Sequence, residues 1–180
     1  MNRTKSQSQV KTFICQVNCF DQIIPYIREP GTLILCDIDD TVLTPKPIIN
    51  IPGVRSNVLT LLLDNGLKPT DKSGFLRMYH HLHSDAIKGQ LMFLTARHEL
   101  GDFETRKDLQ MLGIPLEPGT DLVIHYTNNY ITKGEYITRF LQSHVKNNRP
   151  VIFIDDRIDF IRSVIEHHPT TKCFMYTHLS

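Results

Sequence analysis

Acidic, hydroxyl and ammonium side chains occur in this sequence directly after short apolar runs or at the start of helical patterns. The stretch LILCDIDDTVLTP, which begins at Leu33, is the densest example, with three carboxylates within four residues. If the apolar runs are parallel strands, their carboxyl ends lie at one edge of the sheet, and the side chains converge there. The residues concerned are Asp37, Asp39, Thr41, Thr95, Lys133, Asp155 and Asp156.

Carboxylates crowded at such an edge repel one another, and this repulsion indicates a bound cation. Two unit charges about 4 Å apart repel by about 4 kcal/mol at an effective dielectric constant of about 20. The motifs offer oxygen ligands and neither histidine nor cysteine, which favours a hard ion, with Mg²⁺ as the natural candidate. A hydroxyl and an ammonium beside the metal would bind an anion. Together these groups predict phosphoryl chemistry.

Five apolar runs predict the strands that position these groups: TLILCD, QLMFLT, DLVIHY, PVIFID and KCFMYT. Helical spacing fills the stretches between them, as in FETRKDLQMLG, whose helix should end at Gly113 with Pro115 just beyond. Continuously apolar strands that alternate with helices predict a parallel sheet covered on both faces. We therefore expect a Rossmann-like, three-layer α/β/α fold with a mostly parallel five-stranded sheet.

Four motifs in this sequence resemble those of the haloacid dehalogenase-like (HAD) phosphatase superfamily, and they stand in the order of that family. They are DIDDT (Asp37, Asp39, Thr41), FLTAR (Thr95), TKGEY (Lys133) and FIDD (Asp155, Asp156). The resemblance extends from about Thr32 to Tyr176. The phrases LGIPL, YTNNYITKGE and FIDDRIDFI further resemble a little-characterised bacterial branch that includes proteins of intracellular bacteria.

The resemblance implies a role for each residue of the first motif. Asp37 would be the nucleophile that forms an aspartyl-phosphate, and its carboxylate would ligate Mg²⁺. Asp39 would protonate the leaving oxygen and then activate water. Its backbone carbonyl would also ligate the metal. Thr41 would orient Asp39.

The later motifs would bind the phosphate and the metal. The Thr95 hydroxyl and the Ala96 backbone N–H would hold phosphate oxygens. Lys133 would offset the charge on the nucleophile and the phosphate. Asp156 would ligate Mg²⁺ directly, whereas Asp155 would act through water or through Lys133.

Other polar residues near the motifs have ordinary structural interpretations. Asp40 is expected in a turn or as an N-cap of the flap that follows, and Asp159 in a surface salt bridge or in an outer-shell contact with the metal. Arg97 would either meet substrate or make a packing or salt-bridge contact. Three histidines are expected on a solvated helix face, because no zinc-ligand spacing continues from them. They are His80, His81 and His83.

Four other classes of protein are alternatives to a HAD-like phosphatase. A two-component receiver would carry its phosphorylated aspartate at the end of the third strand, which here ends in His125 and Tyr126. A cysteine-based phosphatase needs a cysteine and an arginine separated by five residues, and no cysteine here is placed in this way. The GxxxxGK loop of a P-loop kinase does not occur either. A catalytically dead relative that serves as a scaffold is the fourth class, and the intact acidic pair of the first motif argues against it.

The segment from Thr44 to Gln90 is longer than one crossover helix requires. It contains two helical patterns, IPGVRSNVLTLLLDNG and SGFLRMYHHLHSDAIKG, so we expect a flap and at most a small helical lid. An open site predicts a large substrate such as a phosphorylated protein side chain. Tyr126 and Tyr130 flank a turn at Asn128 and Asn129, where they would stack on phosphotyrosine or pack in the core or rim. A nucleotide or sugar phosphate is the alternative substrate.

Composition limits the remaining possibilities. The chain has 180 residues, which suits a single domain, and residues 1–12 are expected to be disordered. A net charge of +1 argues against a nucleic-acid partner. The longest apolar runs are far shorter than the roughly 20 residues of a membrane span. We expect a soluble, cytoplasmic-type domain. An effector of the resembled branch would be exported into a host cell.

Overall fold

The computed structural model describes residues 12–45, 66–115, 123–145 and 149–177. Within these ranges the strands are β1 (Phe13–Val17), β2 (Leu33–Cys36), β3 (Leu43–Pro45), β4 (Leu67–Pro69), β5 (Gln90–Thr95), β6 (Val123–Tyr126), β7 (Val151–Asp155) and β8 (Lys172–Tyr176). The α-helices are α1 (Lys72–Leu82), α2 (Asp102–Leu109), α3 (Lys133–Phe140), α4 (Gln142–Val145) and α5 (Ile158–His167). Single turns of 3₁₀ helix span Phe20–Gln22, Ile24–Tyr26, Glu99–Gly101 and Gln110–Leu112.

Six of these strands form one parallel sheet in the order β1-β8-β7-β2-β5-β6. Every residue of the central strands β2 and β7 is buried. The unbroken apolar runs predict this burial, because both faces of a central parallel strand are covered. The chain passes from β2 outward to β5 and β6 and then returns to β7 on the other side of β2. The boundary between β2 and β7 is therefore a topological switch point, where ligands bind in such sheets.

The α/β class and the parallel sheet agree with the prediction, but the predicted count of five strands is one too low. The additional strand, β1, pairs with β8 at the edge of the sheet. Its residues alternate between exposed and partly buried positions until Val17. It therefore lacks the continuous apolar run that marks the other five strands. The disorder predicted for residues 1–12 falls, except for Thr12, outside the described residues.

Helices cover both faces of the sheet. On one face, α1 buries Phe75, Met78 and Leu82 in a core with alternate residues of β2 and β5. On the other face, α3 and α5 pack with the intervening strand residues, and their buried side chains include Ile137 and Ile161. The hydrophobic core thus lies in two layers, one on each side of the central strands.

The segment from Thr44 to Gln90 contributes to the core as well as to the flap. The second helical pattern forms α1, which begins where the Asp71 carboxylate accepts a hydrogen bond from the Gly74 N–H at 2.9 Å. β3 and β4 form a separate antiparallel ribbon. The first helical pattern spans residues 51–66 and, except for Gly66, lies outside the described residues, as does the part of the chain on which the predicted lid depends.

The predicted end of α2 is confirmed. After α2 the chain continues for one 3₁₀ turn and then reaches Gly113, which has a left-handed φ of 79°. Glycine adopts this conformation readily, whereas a side chain would strain it. Among the described residues, no helix has the length and apolar character needed to cross a bilayer.

Candidate active site

The carboxyl ends of β2 and β7 bring the acidic residues of the first and last motifs together. Cys36 lies opposite Ile154 in the register of these strands, and the Asp37 N–H donates to the Ile154 carbonyl at 2.9 Å. Asp37 and Asp155 therefore leave adjacent strands side by side. The chain after β2 turns at Asp40, which has a φ of 56° and accepts a hydrogen bond from the Thr44 hydroxyl. Asp40 is thus a turn residue, as predicted.

Three carboxylates at this edge are placed to share one cation. Each of Asp37, Asp155 and Asp156 offers an oxygen, and these oxygens lie within 4.8 Å of one another. The first two side chains are buried, and the third is partly exposed. A cluster of carboxylate oxygens suits Mg²⁺. The residues present therefore fit the ion that the motifs imply, with Asp156 on the exposed side.

Lys133 lies beneath this cluster and joins two of its members. Its Nζ donates to Asp37 Oδ1 at 2.5 Å and to Asp155 Oδ2 at 2.6 Å. The side chain is fully buried and also lies over the ring of Phe160, with Nζ 4.7 Å from the centroid. The predicted contacts of Lys133 with Asp37 and of Asp155 with Lys133 are both present.

One ammonium cannot neutralise three neighbouring carboxylates, and their pKa values reflect this. Burial raises the pKa of Asp37 and raises that of Asp155 to about 7, in each case against the opposing effect of Lys133. Burial and the charge of Asp37 raise the pKa of Asp156 to about 6. Burial alone would lower the pKa of Lys133, but its two carboxylate partners more than offset this and raise it. A divalent cation would stabilise the ionised carboxylates at neutral pH.

The residues next to Lys133 determine where α3 begins and hold its first turn beside the carboxylate cluster. The Thr132 hydroxyl accepts from the Glu135 N–H while the Glu135 carboxylate accepts from the Thr132 N–H, which forms a capping box. Gly134 packs directly on α5, and a Cβ there would lie 2.1 Å from the carbonyl oxygen of Ser163. Its N–H donates to the Ser163 hydroxyl at 2.9 Å. The absence of a side chain at Gly134 therefore permits the close approach of α3 to α5.

The two threonines of the motifs are both buried, and the predicted contact of Thr95 with phosphate stays a prediction. The Thr41 hydroxyl donates to Asp37 Oδ2 at 3.3 Å and accepts from the Asp156 N–H at 3.1 Å, so it contacts these residues rather than Asp39. The Thr95 hydroxyl accepts from the Arg97 N–H at 3.1 Å. It does not line the cavity beside the carboxylates.

A cavity of about 370 Å³ opens above the carboxylate cluster. No chemical role was predicted for four of its residues, Asp40, Asn129, Arg157 and Phe160, and two roles were left open for Arg97. Their positions give a signal that could have identified them, since each lies close to a motif or to the turn after β6. The lining residues are Asp37, Asp39, Asp40, Ala96, Arg97, Asn129, Asp156, Arg157 and Phe160.

The turn after β6 forms one rim of the cavity. Asn128 and Asn129 have φ values of 54° and 56°, which confirms the predicted turn. The hydroxyl of Tyr126 donates to Asp102 at 2.7 Å, and the partly buried Tyr126 packs against the hydrophobic core, which is the second of its two predicted roles. Tyr130 is 78% exposed.

Arg97 and Arg157 make ion pairs at the cavity. Arg97 pairs with Asp39 at 2.7 Å and with Asp108 at 2.9 Å. Arg157 pairs with Asp159 at 2.6 Å, which confirms the predicted salt bridge of Asp159.

The histidines of α1 do not form a metal site with one another. His81 Nε2 lies 2.9 Å from the Ile27 carbonyl oxygen, and His83 Nδ1 lies 2.9 Å from that of Tyr79. In the part of the chain that the structure describes, the carboxylate cluster is the one group of three or more side chains placed to hold a metal.

No protein-family model, no curated protein and no solved structure matches this chain.

Proposed function

We propose that this chain is a Mg²⁺-dependent phosphomonoester hydrolase of the HAD-like superfamily, acting through an aspartyl-phosphate on Asp37. The observation that carries this proposal is the meeting of Asp37, Asp155 and Asp156 with Lys133 at the switch point of the sheet. A structural ion pair would need one carboxylate for one lysine. The excess of buried acid instead suits a site that receives a metal and a phosphate group.

In the first half of the reaction, a carboxylate oxygen of Asp37 attacks phosphorus. The new bond joins this oxygen to phosphorus, the bond from phosphorus to the ester oxygen breaks, and Asp39 gives a proton to the leaving oxygen. In the second half, Asp39 takes a proton from water, whose oxygen attacks phosphorus. The bond to Asp37 then breaks, which releases inorganic phosphate and restores both aspartates.

The remaining residues bind and orient the reacting groups. Asp37, Asp155 and Asp156 would hold Mg²⁺, with the backbone carbonyl of Asp39. The bound ion would withdraw charge from the phosphoryl oxygens. Lys133 holds the Asp37 carboxylate in a fixed orientation through its 2.5 Å hydrogen bond. The N–H of Ala96, which lines the cavity, would donate to a phosphate oxygen.

For the substrate we propose a phosphorylated protein side chain such as phosphotyrosine. Asp39 is half exposed at the cavity, and the exposed ring of Tyr130 lies next to Asn129 in the same rim, where it could contact an aromatic ester. If the resemblance to proteins of intracellular bacteria holds, the phosphoprotein would belong to the host. A nucleotide or sugar phosphate is the alternative, and it would require a lid from the segment between Thr44 and Gln90.

The test is phosphate release in the presence of Mg²⁺ from a panel of substrates. The panel contains phosphotyrosine and phosphoserine peptides, nucleotides and sugar phosphates. We expect hydrolysis that EDTA stops and that Asp37→Asn and Asp39→Asn both abolish. Faster hydrolysis of the peptides supports a protein substrate at an open site. Faster hydrolysis of a nucleotide or sugar phosphate would reject the protein substrate in favour of a small metabolite.

A matched variant, Asp21→Asn, removes a surface carboxylate that pairs with Arg77 outside the cavity and should leave the rate unchanged. Activity that survives both active-site substitutions would contradict the mechanism. A wild-type protein that hydrolyses nothing in the panel would favour the scaffold interpretation instead.

A further inference from the structure

Arg97 presents two edges of its guanidinium group to two sets of partners. Nη1 donates to Asp108 at 2.9 Å and to the Thr105 hydroxyl at 3.2 Å, which attaches this edge to α2. Nε and Nη2 lie on the other edge and donate to both carboxylate oxygens of Asp39 at 2.7 to 3.1 Å. The Arg97 side chain is 19% exposed, whereas that of Asp39 is 52% exposed. Arg97 is therefore the fixed partner of this pair.

This pairing is incompatible with the chemistry that the proposed function assigns to Asp39. Both of its oxygens are engaged by N–H donors of Arg97. In this pair Asp39 acts only as an acceptor and has no proton to give to the leaving oxygen of a substrate. For Asp39 to act, Nε and Nη2 of Arg97 must release it and bind another anion in its place.

We propose that Arg97 is a clamp for the phosphoryl group of the substrate, and that Asp39 occupies the clamp until substrate arrives. The inference rests on the proposed function for the task of Asp39. A guanidinium fork that accepts a carboxylate in two hydrogen bonds accepts two phosphate oxygens with the same geometry. Transfer of the fork from Asp39 to the phosphate binds the substrate and frees the Asp39 carboxylate. This carboxylate then takes up a proton, from water or from the singly protonated phosphate, and gives it to the leaving oxygen.

The other two cations of the site are less suited to this task. Lys133 is buried beneath the cavity between two carboxylates. Arg157 bonds to Asp159, which does not line the cavity, and its guanidinium lies 4.1 Å from the centroid of the Phe160 ring. Arg97 is the cation whose ion pair lies between two residues of the cavity lining.

The test measures the affinity of inorganic phosphate by titration calorimetry in the presence of Mg²⁺, without any turnover. The proteins are the wild type, Arg97→Gln, Arg97→Lys, Asp39→Asn and the double variant with Asp39→Asn and Arg97→Gln. Arg97→Gln should raise the Kd by roughly 10- to 100-fold, as expected for loss of charge-assisted hydrogen bonds. Arg97→Lys, which keeps the charge but loses the fork, should lie between it and the wild type.

The effect of Asp39→Asn provides the sharpest readout. Removal of the carboxylate that competes for the fork should lower the Kd for phosphate in the wild-type background. The same substitution should give little gain in the Arg97→Gln background, because no clamp remains to be released. A general effect of charge would give equal gains in both backgrounds, and that result would overturn the proposal.

The matched control is Arg77→Gln, which breaks another arginine–aspartate pair with two hydrogen bonds, at Asp21. It should leave the phosphate affinity unchanged. Unaltered affinity in Arg97→Gln, or no phosphate binding by the wild type and Asp39→Asn, would overturn the clamp. Ester hydrolysis together with unaltered affinity in Arg97→Gln would leave the hydrolase proposal standing. Binding that follows the predicted pattern without any hydrolysis would reject the hydrolase and keep the anion site.

Discussion

The metal-free protein should lose stability as the pH rises from about 5 to about 7.5, and Mg²⁺ should restore that stability. The perturbation is chelation with EDTA, and the responsible group is the buried carboxyl of Asp155. Its pKa rises from 3.8 to about 7 in the folded chain. Between these two values the native state binds a proton that the unfolded state has lost. Stability from this group is therefore complete below pH 3.8 and is lost as the pH rises through about 7.

The magnitude follows from the linkage of proton binding to unfolding. One unit of pKa shift corresponds to about 1.4 kcal/mol. The window from about pH 5 to pH 7.5 contains about two of the pH units between the unfolded and folded pKa values of Asp155. The contribution of Asp155 to the free energy of unfolding should fall by about 2 to 3 kcal/mol over this window, and Asp156, whose pKa is raised to about 6, adds to the fall in the same direction. Mg²⁺ binds the ionised carboxylates, so the stabilisation that it gives should be larger at the higher pH.

The assay is urea unfolding at both pH values, with EDTA and with Mg²⁺, for the wild type and for Asp155→Asn. Two partly buried histidines act in the opposite direction, because burial lowers the pKa of His125 and of His168 and they destabilise the fold as the pH falls. The difference between wild type and variant removes their contribution. Asp21→Asn, at a surface pair, is the matched control and should keep the wild-type difference.

Two results would refute this reasoning. One is a metal-free stability whose change between the two pH values is the same in the wild type and in Asp155→Asn. The other is a stabilisation by Mg²⁺ that is equal at both pH values, since this would mean that the ion does not bind the carboxylates in place of protons.

Three further predictions concern the support of Lys133. Lys133→Met should destabilise the metal-free protein by about 3 to 5 kcal/mol, because it leaves buried carboxylates without a cation, and Mg²⁺ should recover part of the loss in urea unfolding. Gly134→Ala should cost about 1 to 3 kcal/mol and lower phosphate release, because α3 must move away from α5. Gly101→Ala, where a Cβ meets nothing within 4 Å, is its control, and equal stability of the two would count against the close-packing argument. Thr132→Ala should lower the melting temperature through loss of about 1 kcal/mol from the capping box, and an unchanged value would exclude that role.

The central strands and their acidic ends were predictable because burial and chemistry leave strong patterns there. β2 and β7 are buried on both faces, so each is an unbroken apolar run, and parallel strands bring their carboxyl ends to one edge. β1 left no such pattern, because an edge strand keeps polar residues such as Gln16 on its exposed side. Its pairing with β8 depends on contacts across more than 150 residues of sequence, which local spacing does not reveal.

The partners of individual side chains were less predictable than the site itself. Thr41 was expected beside Asp39, two residues earlier, but the turn at Asp40 directs its hydroxyl to Asp37 and to the Asp156 N–H. Arg97 had two open interpretations because its ion pairs involve Asp39, which is 58 residues away in the sequence, and Asp108, which is 11 residues away. Hydrogen-bond partners of this kind depend on tertiary packing, and neither residue type nor spacing determines them.

The four residues Thr132 to Glu135 explain how the chain tolerates a lysine at the point where it is needed. A cation in the first turn of a helix is opposed by the helix dipole, and its burial adds a second cost. Asp37 and Asp155 offset both through hydrogen bonds of 2.5 and 2.6 Å. Thr132 and Glu135 satisfy backbone donors of that turn, and Gly134 lets the turn approach α5. A lysine in this turn without these neighbours would be destabilising. The combination of Lys133 with Thr132, Gly134 and Glu135 therefore indicates a role at the carboxylate site more strongly than the lysine alone.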